Sequence, residues 1–352
     1  MSPTRSITSR TGHSARSPSH SIVASRWLPP GAYGPQNCRL ATRRQVFIYR
    51  GYEKRPTLES EPRSRVMTIL VTGANGQLGR LVVDSLRRRA PAAPLAVSVR
   101  DPGRAGDLAD AGIDVRHGDF DTADTLARAF ADIDTLLIVS GDAPVEARIR
   151  QHRTAVDAAR AAGVGRVVYT SFVDPRPDSP FPFAAIHADT EVYLKASGLA
   201  YTLLRNGVYA DNLLGFVGRA LESGTLAAPA GDGKVAFISR ADLAEATANV
   251  LLGDGHVGRT YELTGPAAIG FQDVADAVSR HTGREIAYRS IPTAAFEDGL
   301  TQAGLPPFMV TALGGMFRSV ATGDYRTVTT DAAGLLGREP ESLDAVLARA
   351  LD

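Results

Sequence analysis

Residues 68–79 read TILVTGANGQLG, and the fold follows from how they are read. Ile69-Leu70-Val71 is an uninterrupted apolar run, as in a strand buried on both faces. Glycines then fall at 73, 76 and 79, and the chain resumes as LVVDSLRRR at helical spacing. Strand, glycine turn and helix in that order make a phosphate cradle, because the first N–H groups of a helix are unpaired and its dipole favours an anion. The spacing is G-x-x-G-x-x-G, not the G-x-G-x-x-G of the plain dinucleotide fingerprint. Glycines alone are weak grounds, since turns are rich in them. Their place between a buried strand and a helix predicts a nucleotide site.

Downstream, strand-like runs at 95–99 (LAVSV), 113–116, 135–139 (TLLIV), 166–170 (RVVYT) and 201–204 (YTLL) alternate with helical patterns. The helices are predicted over 103–111, 122–130 with Thr122 as N-cap, 144–162 and 190–198. This alternation implies right-handed crossovers and an α/β, doubly wound parallel sheet of Rossmann type, with ligands beyond the C-terminal strand ends. Further on, helices are predicted over 240–252 with Ser239 as N-cap, 271–282, 293–303 and 343–351. Short strands are predicted at 260–264 and 286–289, and 231–234 reads as a turn. The apolar stretch 306–320 suits a cleft wall, a lid, a subunit contact or plain core. The expected organisation is a nucleotide-binding domain over 67–205 and a smaller α+β cap mainly over 206–352, some of which returns to the sheet.

The strand ends carry the candidate chemistry. Arg100 ends the second strand, 21 residues after Gly79. An acid there holds the ribose 2′-OH of NAD, whereas an arginine accommodates the 2′-phosphate of NADP. Asp101 is adjacent, so NADPH is favoured over NADH without being fixed; an exposed loop arginine is the plain alternative. Asp119-Phe120 could meet the adenine, the acid by accepting from its amino group and the ring by stacking, although Phe120 is equally suited to the core. Ser140-Gly141 would let the backbone pass close to the cofactor ribose, or simply turn. Thr170-Ser171-Phe172 points toward the nicotinamide end.

Bulk composition narrows the classes. The chain has 352 residues, net charge +1, 44% hydrophobic and 22% charged residues, as in a globular protein. The first 66 residues hold 12 Lys and Arg against 3 Glu; the rest holds 27 basic against 35 acidic residues. The acidic body argues against nucleic-acid binding, and no apolar run is long enough for a membrane span. Cys38 is the single cysteine, which excludes an intrachain disulfide and any cysteine nucleophile or thiolate metal site in the body. Residues 1–66 are rich in Ser, Arg and Pro without strand or helix period, and low order is expected. They read as a disordered tail, a transit peptide or, the favoured reading, sequence upstream of a true start at Met67.

Reductases on this fold often protonate a carbonyl with a Tyr whose partner Lys lies four residues later. None of the ten tyrosines has that lysine; Tyr193 is followed by Ser197. Ordinary ketone reduction therefore lacks its usual proton source. A quinone, whose product charge spreads over the ring, would need less help.

The segments VTGANGQLG (71–79), QHR (151–153), YTS (169–171), HADTE (187–191), LLRNGVY (203–209) and AGDGKVA (230–236) together resemble the NmrA-like atypical short-chain dehydrogenases. The chain is most similar to their bacterial NAD(P)H:quinone oxidoreductase branch, from about Met67 onward. The resemblance implies NADPH bound without flavin or metal, and a small-molecule quinone as acceptor in a cytoplasmic enzyme; a homodimer is left open. Gly73, Ala74, Asn75, Gly76, Gln77, Leu78 and Gly79 would hold the pyrophosphate and Arg100 the 2′-phosphate. Asn206, Gly207, Val208, Tyr209, Ala210 and Asp211 would line the quinone pocket, with Phe172 and Phe237 near it. Asn206 would orient a carbonyl, Tyr209 would stack, and His187 with Glu191 would replace the Tyr/Lys pair. The plain alternatives are a turn for Asn206, core for Tyr209 and a helix-capping arrangement for His187. Asn75 stands where the family often has Thr. Competing functions are an NADP(H)-sensing regulator without turnover and a sugar or isoflavonoid-type reductase.

Overall fold

The computed structural model describes residues 67–351. The expectations for residues 1–66 lie outside them. Seven parallel strands form the main sheet: β1 (Ile69–Thr72), β2 (Leu95–Val99), β3 (Asp114–His117), β4 (Thr135–Ile138), β5 (Arg166–Phe172), β6 (Ala200–Asn206) and, after two strands outside it, β9 (Thr260–Leu263). Their order is β3-β2-β1-β4-β5-β6-β9, the doubly wound arrangement in which the direction of winding reverses between β1 and β4. The two intervening strands, β7 (Thr225–Ala228) and β8 (Lys234–Val235), pair with β11 (Ala287–Ser290) and β10 (Ile269–Gly270) respectively.

Helices cover both faces, as buried parallel strands require. Their ranges are α1 (Gln77–Arg89), α2 (Gly106–Asp110), α3 (Ala123–Ala129), α4 (Val145–Ala161), α5 (Pro182–Ala196), α6 (Leu214–Ser223), α7 (Arg240–Leu252), α8 (Phe271–Thr282), α9 (Thr293–Gln302), α10 (Pro307–Thr322), α11 (Asp331–Leu336) and α12 (Leu343–Leu351). Alternate residues of β1 divide between two cores. Ile69 and Val71 join the cluster under α1 and α7, while Leu70 joins the one under α3 and α4. A third cluster, with Phe271, Phe296 and Phe317, lies within residues 173–347 and supports the cleft side of the β6 end.

The structure shifts several predicted boundaries. The helix predicted from 190 begins at Pro182, so His187 and Glu191 sit inside it rather than at its start. Proline at the first helical position loses no hydrogen bond, which is why a stretch that reads as loop is helical. Thr122 precedes α3 but its side chain caps nothing. Thr125 instead ties the first turn of α3 to the preceding loop, accepting from Asp119 N at 2.9 Å and donating to Thr122 O at 2.7 Å. Ser239 does cap α7, accepting from Asp242 N at 3.0 Å. The unread segment after Ala210 forms a short 3₁₀ turn, α6 and β7.

Candidate active site

The glycine loop is shaped by two close approaches. Gly73 adopts a left-handed φ of 65°, which glycine tolerates best, and its carbonyl accepts from Gly76 N at 2.9 Å. A Cβ on Gly79 would run into that carbonyl, so the first turn of α1 lies tight against the loop. Ala74 and Leu78 are buried beneath it, while Gly73, Gly76 and Gln77 are exposed. Asn75 ties the loop to the end of β2 by donating to Asp101 O at 3.1 Å, and its Oδ1 is buried without a partner.

The other strand ends face the same way. Arg100 is exposed, with neither ion pair nor hydrogen bond among the described residues. Asp119 accepts from Asp121 N at 3.0 Å through one carboxylate oxygen. Phe120 is half-buried against the α3–α4 core. A Cβ on Gly141 would meet nothing within 4 Å, so the ground beside it is open. Exposed Gly73 and Gly76, an unpaired arginine at β2, an orphaned Asn75 oxygen and open space at Gly141 fit a nucleotide with an extra phosphate.

On the acceptor side, Asn206 ends β6 with 0% exposure. Its amide nitrogen lies 3.3 Å from the Tyr209 hydroxyl and its Oδ1 has no partner. Whichever way round the amide stands, one polar end of it stays without a partner among the described residues. Gly207 donates to Leu263 O at 2.8 Å, and a Cβ there would press on that oxygen. Val208 and Ala210 exchange backbone bonds with Ile238, and the Arg240 guanidinium lies 5.0 Å from the Tyr209 ring centroid. Asp211 accepts from Arg240 N at 2.9 Å, capping α7. Phe237, expected beside the pocket, is buried in the third cluster 6.2 Å from Phe271, because β8 and the strand end it follows pack inward. Phe172 instead forms an aromatic wall with Phe181 and Tyr325, at 5.2 and 5.4 Å. Burial pushes the Tyr325 phenol up to about 12.

Behind this wall lies a buried polar cluster that the sequence did not reveal as one. Arg148 and His152 stand one turn apart on α4, Tyr169 is on β5 and His187 on α5. Ser140 Oγ accepts from Arg148 Nη2 at 2.7 Å and lies 3.1 Å from His152 Nε2. Thr170 Oγ1 fixes Ser140 by accepting its N–H at 3.0 Å. The Tyr169 hydroxyl lies 2.8 Å from His187 Nδ1 and 3.3 Å from His152 Nδ1. Burial, reinforced by the Arg148 charge, pushes His152 down to about 3 and His187 well below its usual range, so both rings are neutral. Burial raises the Tyr169 phenol. Arg148 is 6% exposed, one of its terminal nitrogens is unpaired, and no carboxylate among the described residues lies within ion-pair distance of it. Sequence holds one signal for this cluster: a His and an Arg four apart within an Ala-rich helix that precedes a strand with a central Tyr.

Glu191, one turn beyond His187, behaves differently. It accepts from Ser171 Oγ at 2.7 Å and from Arg205 at 2.9 Å through both oxygens, with Lys195 at 3.3 Å. Although burial opposes it, these cations hold its carboxyl below the usual range. Its lone pairs are spent inside the protein, whereas the side-chain contact of His187 is with Tyr169. Among the described residues no cluster of His, Cys, Asp or Glu suits a metal ion, and no helix is long and apolar enough to cross a membrane.

Known proteins resemble this chain in sequence and in fold. Quinone oxidoreductase 2 of Escherichia coli is 40% identical over 238 residues, covering 68% of this chain and 82% of the relative. The crystal structure of an E. coli NADPH-dependent quinone oxidoreductase with NADPH superposes with a TM-score of 0.77 and 36% identity, covering 81% of this chain and all of the other. Citrobacter sp. triphenylmethane reductase complexed with NADP(H) gives 0.75 and 32%, with coverage of 81% and 100%. The profile of the NmrA-like family matches residues 66–345, and the chain belongs to that family.

Proposed function

We propose that the protein is an NADPH-dependent quinone oxidoreductase that works without flavin. Its relatives include enzymes named for this activity and solved with NADPH. The observation that carries the reading is Asn206. It is fully buried at a strand end facing the cofactor side, it keeps one polar atom unpaired, and no Tyr/Lys pair stands beside it. Bound NADPH would supply the hydride. Gly73, Ala74, Asn75, Gly76, Gln77, Leu78 and Gly79 hold its pyrophosphate, and Arg100 pairs with its 2′-phosphate. Asp119, Phe120, Ser140, Gly141, Thr170 and Ser171 flank the adenine, ribose and nicotinamide in turn. Turned so that its oxygen accepts from the Tyr209 hydroxyl, the Asn206 amide is left with free N–H donors that orient a quinone carbonyl and meet its developing charge, Tyr209 and Phe172 bound the ring, and the His187 edge supplies a proton donor. Residues 67–205 hold the cofactor and 206–352 mainly cover the acceptor. A cytoplasmic location, with its supply of NADPH, suits the reading.

The test uses the full chain and follows NADPH oxidation at the nicotinamide absorbance with benzoquinone and menadione. Oxidation without added flavin is expected. Tight NADPH binding with no turnover on any quinone would identify a cofactor-sensing regulator instead.

A further inference from the structure

Resting on the quinone-reductase reading, we propose that Arg148, Ser140, His152 and Tyr169 form a one-way hydrogen-bond chain that presents His187 to the cleft as the proton donor. Two fixed points set its direction. Arg148 can only donate, so Ser140 Oγ, at 3.1 Å from Nε and 2.7 Å from Nη2, accepts from it. The Ser140 proton is then left for His152 Nε2 at 3.1 Å. At the other side of that ring, Thr190 commits its own proton to Ile186 O at 2.8 Å. Thr190 must therefore accept from His152 Nδ1, 2.8 Å away, which places a hydrogen there and agrees with a bare Nε2. The same N–H lies 3.3 Å from the Tyr169 oxygen. With its oxygen receiving, Tyr169 donates to His187 Nδ1 at 2.8 Å. His187 then carries its hydrogen on Nε2, which has no partner among the described residues and is not among the fully buried unpaired atoms. Every proton in the chain points from Arg148 toward that edge.

The chemistry balances. When hydride reaches the acceptor, one carbonyl oxygen takes up the electron pair of its broken π bond. That oxygen forms an O–H bond with the His187 Nε2 hydrogen as the N–H bond breaks. His187 Nδ1 takes the Tyr169 proton, Tyr169 takes the one on His152 Nδ1, and His152 Nε2 takes the one on Ser140. Half-buried Ser140 recovers a proton from water. Both histidines end as the opposite tautomers, neither is ever charged, and the sum is one hydride and one solvent proton per quinone. Before the next turnover His187 Nε2 takes a proton from water in the emptied cleft, each proton steps back along the chain, and Ser140 returns one to water, so both starting tautomers are restored and the net uptake stays one solvent proton. His187 is the catalytic group; the other four residues are positioning residues.

Two measurements test this. In full-length protein with ¹⁵N-labelled histidine and no ligand, His187 should show the Nε2–H tautomer and His152 the Nδ1–H tautomer. A His187 hydrogen on Nδ1 would overturn the proposal, and this measurement needs no variant to fold. Tyr169→Phe removes the link while keeping the ring. Its kcat with menadione should fall roughly tenfold, a modest part of the ~10²–10⁴ that a positioned acid supplies. NADPH affinity by fluorescence titration should hold, and His187 should populate both tautomers. In single turnovers the wild-type rate should depend on deuterium content along a curve, as several protons moving together require, and the variant along a straight line. His187→Gln keeps an N–H donor that cannot be transferred and should lose the solvent isotope effect. An unchanged rate and isotope effect in folded Tyr169→Phe would overturn the proposal. Absence of turnover by the wild type would overturn the quinone reading and this step with it, while the tautomer spectrum would separately establish or refute the donor chain.

Discussion

His187 and Glu191 lie one turn apart on the same buried face of α5, yet the networks around them are opposites. Around Glu191 every charge is answered: Arg205 grips both oxygens, Lys195 and Ser171 close the remainder, and Arg205 is itself shared with Glu262 at 3.0 Å. Around His187 the network is open at both ends, with an unpaired Arg148 nitrogen at one and His187 Nε2 at the other. A closed ionic network spends its capacity on the fold. An open one carries desolvated polar atoms that the fold alone leaves unsatisfied, and such atoms mark where a ligand belongs.

The comparison breaks if rate and stability do not separate along that line. The largest effect should come from Asn206→Ala on the open side. Loss of a donor aimed at a developing oxyanion should lower kcat by roughly 10²–10³, with NADPH affinity nearly unchanged. An unchanged steady-state rate would remove Asn206 from the mechanism. On the closed side, Glu191→Gln should lower unfolding free energy by about 3 kcal/mol, the lower end for breaking a buried pair, because Arg205 keeps Glu262. Denaturant melts would check this, and a fall in kcat at saturating substrate would contradict the separation. Arg100→Ala should cost NADPH about 1.5–3 kcal/mol of binding, the worth of a charged hydrogen bond, and leave NADH nearly untouched. Equal losses in titrations of the two cofactors would show that Arg100 does not read the 2′-phosphate.

On the open side, stability also depends on pH. His152 is held down to about 3 when folded against 6.5 in an open chain, and His187 also lies well below 6.5. Between those values the unfolded chain binds more protons, so stability is full above pH 6.5 and is lost as pH falls. The loss is about 1.4 kcal/mol per pH unit for each histidine. Thermal melts from pH 7 to 4 should show this slope, reduced in His152→Gln. A flat profile would mean that the rings are not neutral in the folded protein.

How much could be read in advance follows from sequence separation. The β1 loop, the Ser239 cap and the strand end at Asn206 are local patterns, where neighbouring residues carry the whole signal. The Tyr169–His187 contact depends on β5 and α5 docking, and α5 itself begins within a Pro-rich segment that hides its helical character. The Phe237–Phe271 contact is equally non-local, since the fold brings a residue just after β8 against one that opens α8. Helical spacing puts Glu191 on the face of His187, and only the fold brings Arg205 to it.

The last strand of the main sheet has a consequence for any redesign. β9 joins the edge of β6 only after the chain has passed through α6, β7, β8 and α7, with Leu263 aligned to Asn206 and its carbonyl holding Gly207. The segment between the two strands, residues 207–259, is therefore stitched into the sheet on both sides rather than hung from its end. Exchanging it for a relative's segment would require two splice points flanking one strand pair. A chain cut before Thr260 would bare the β6 edge and invite edge-to-edge aggregation rather than yield an open enzyme.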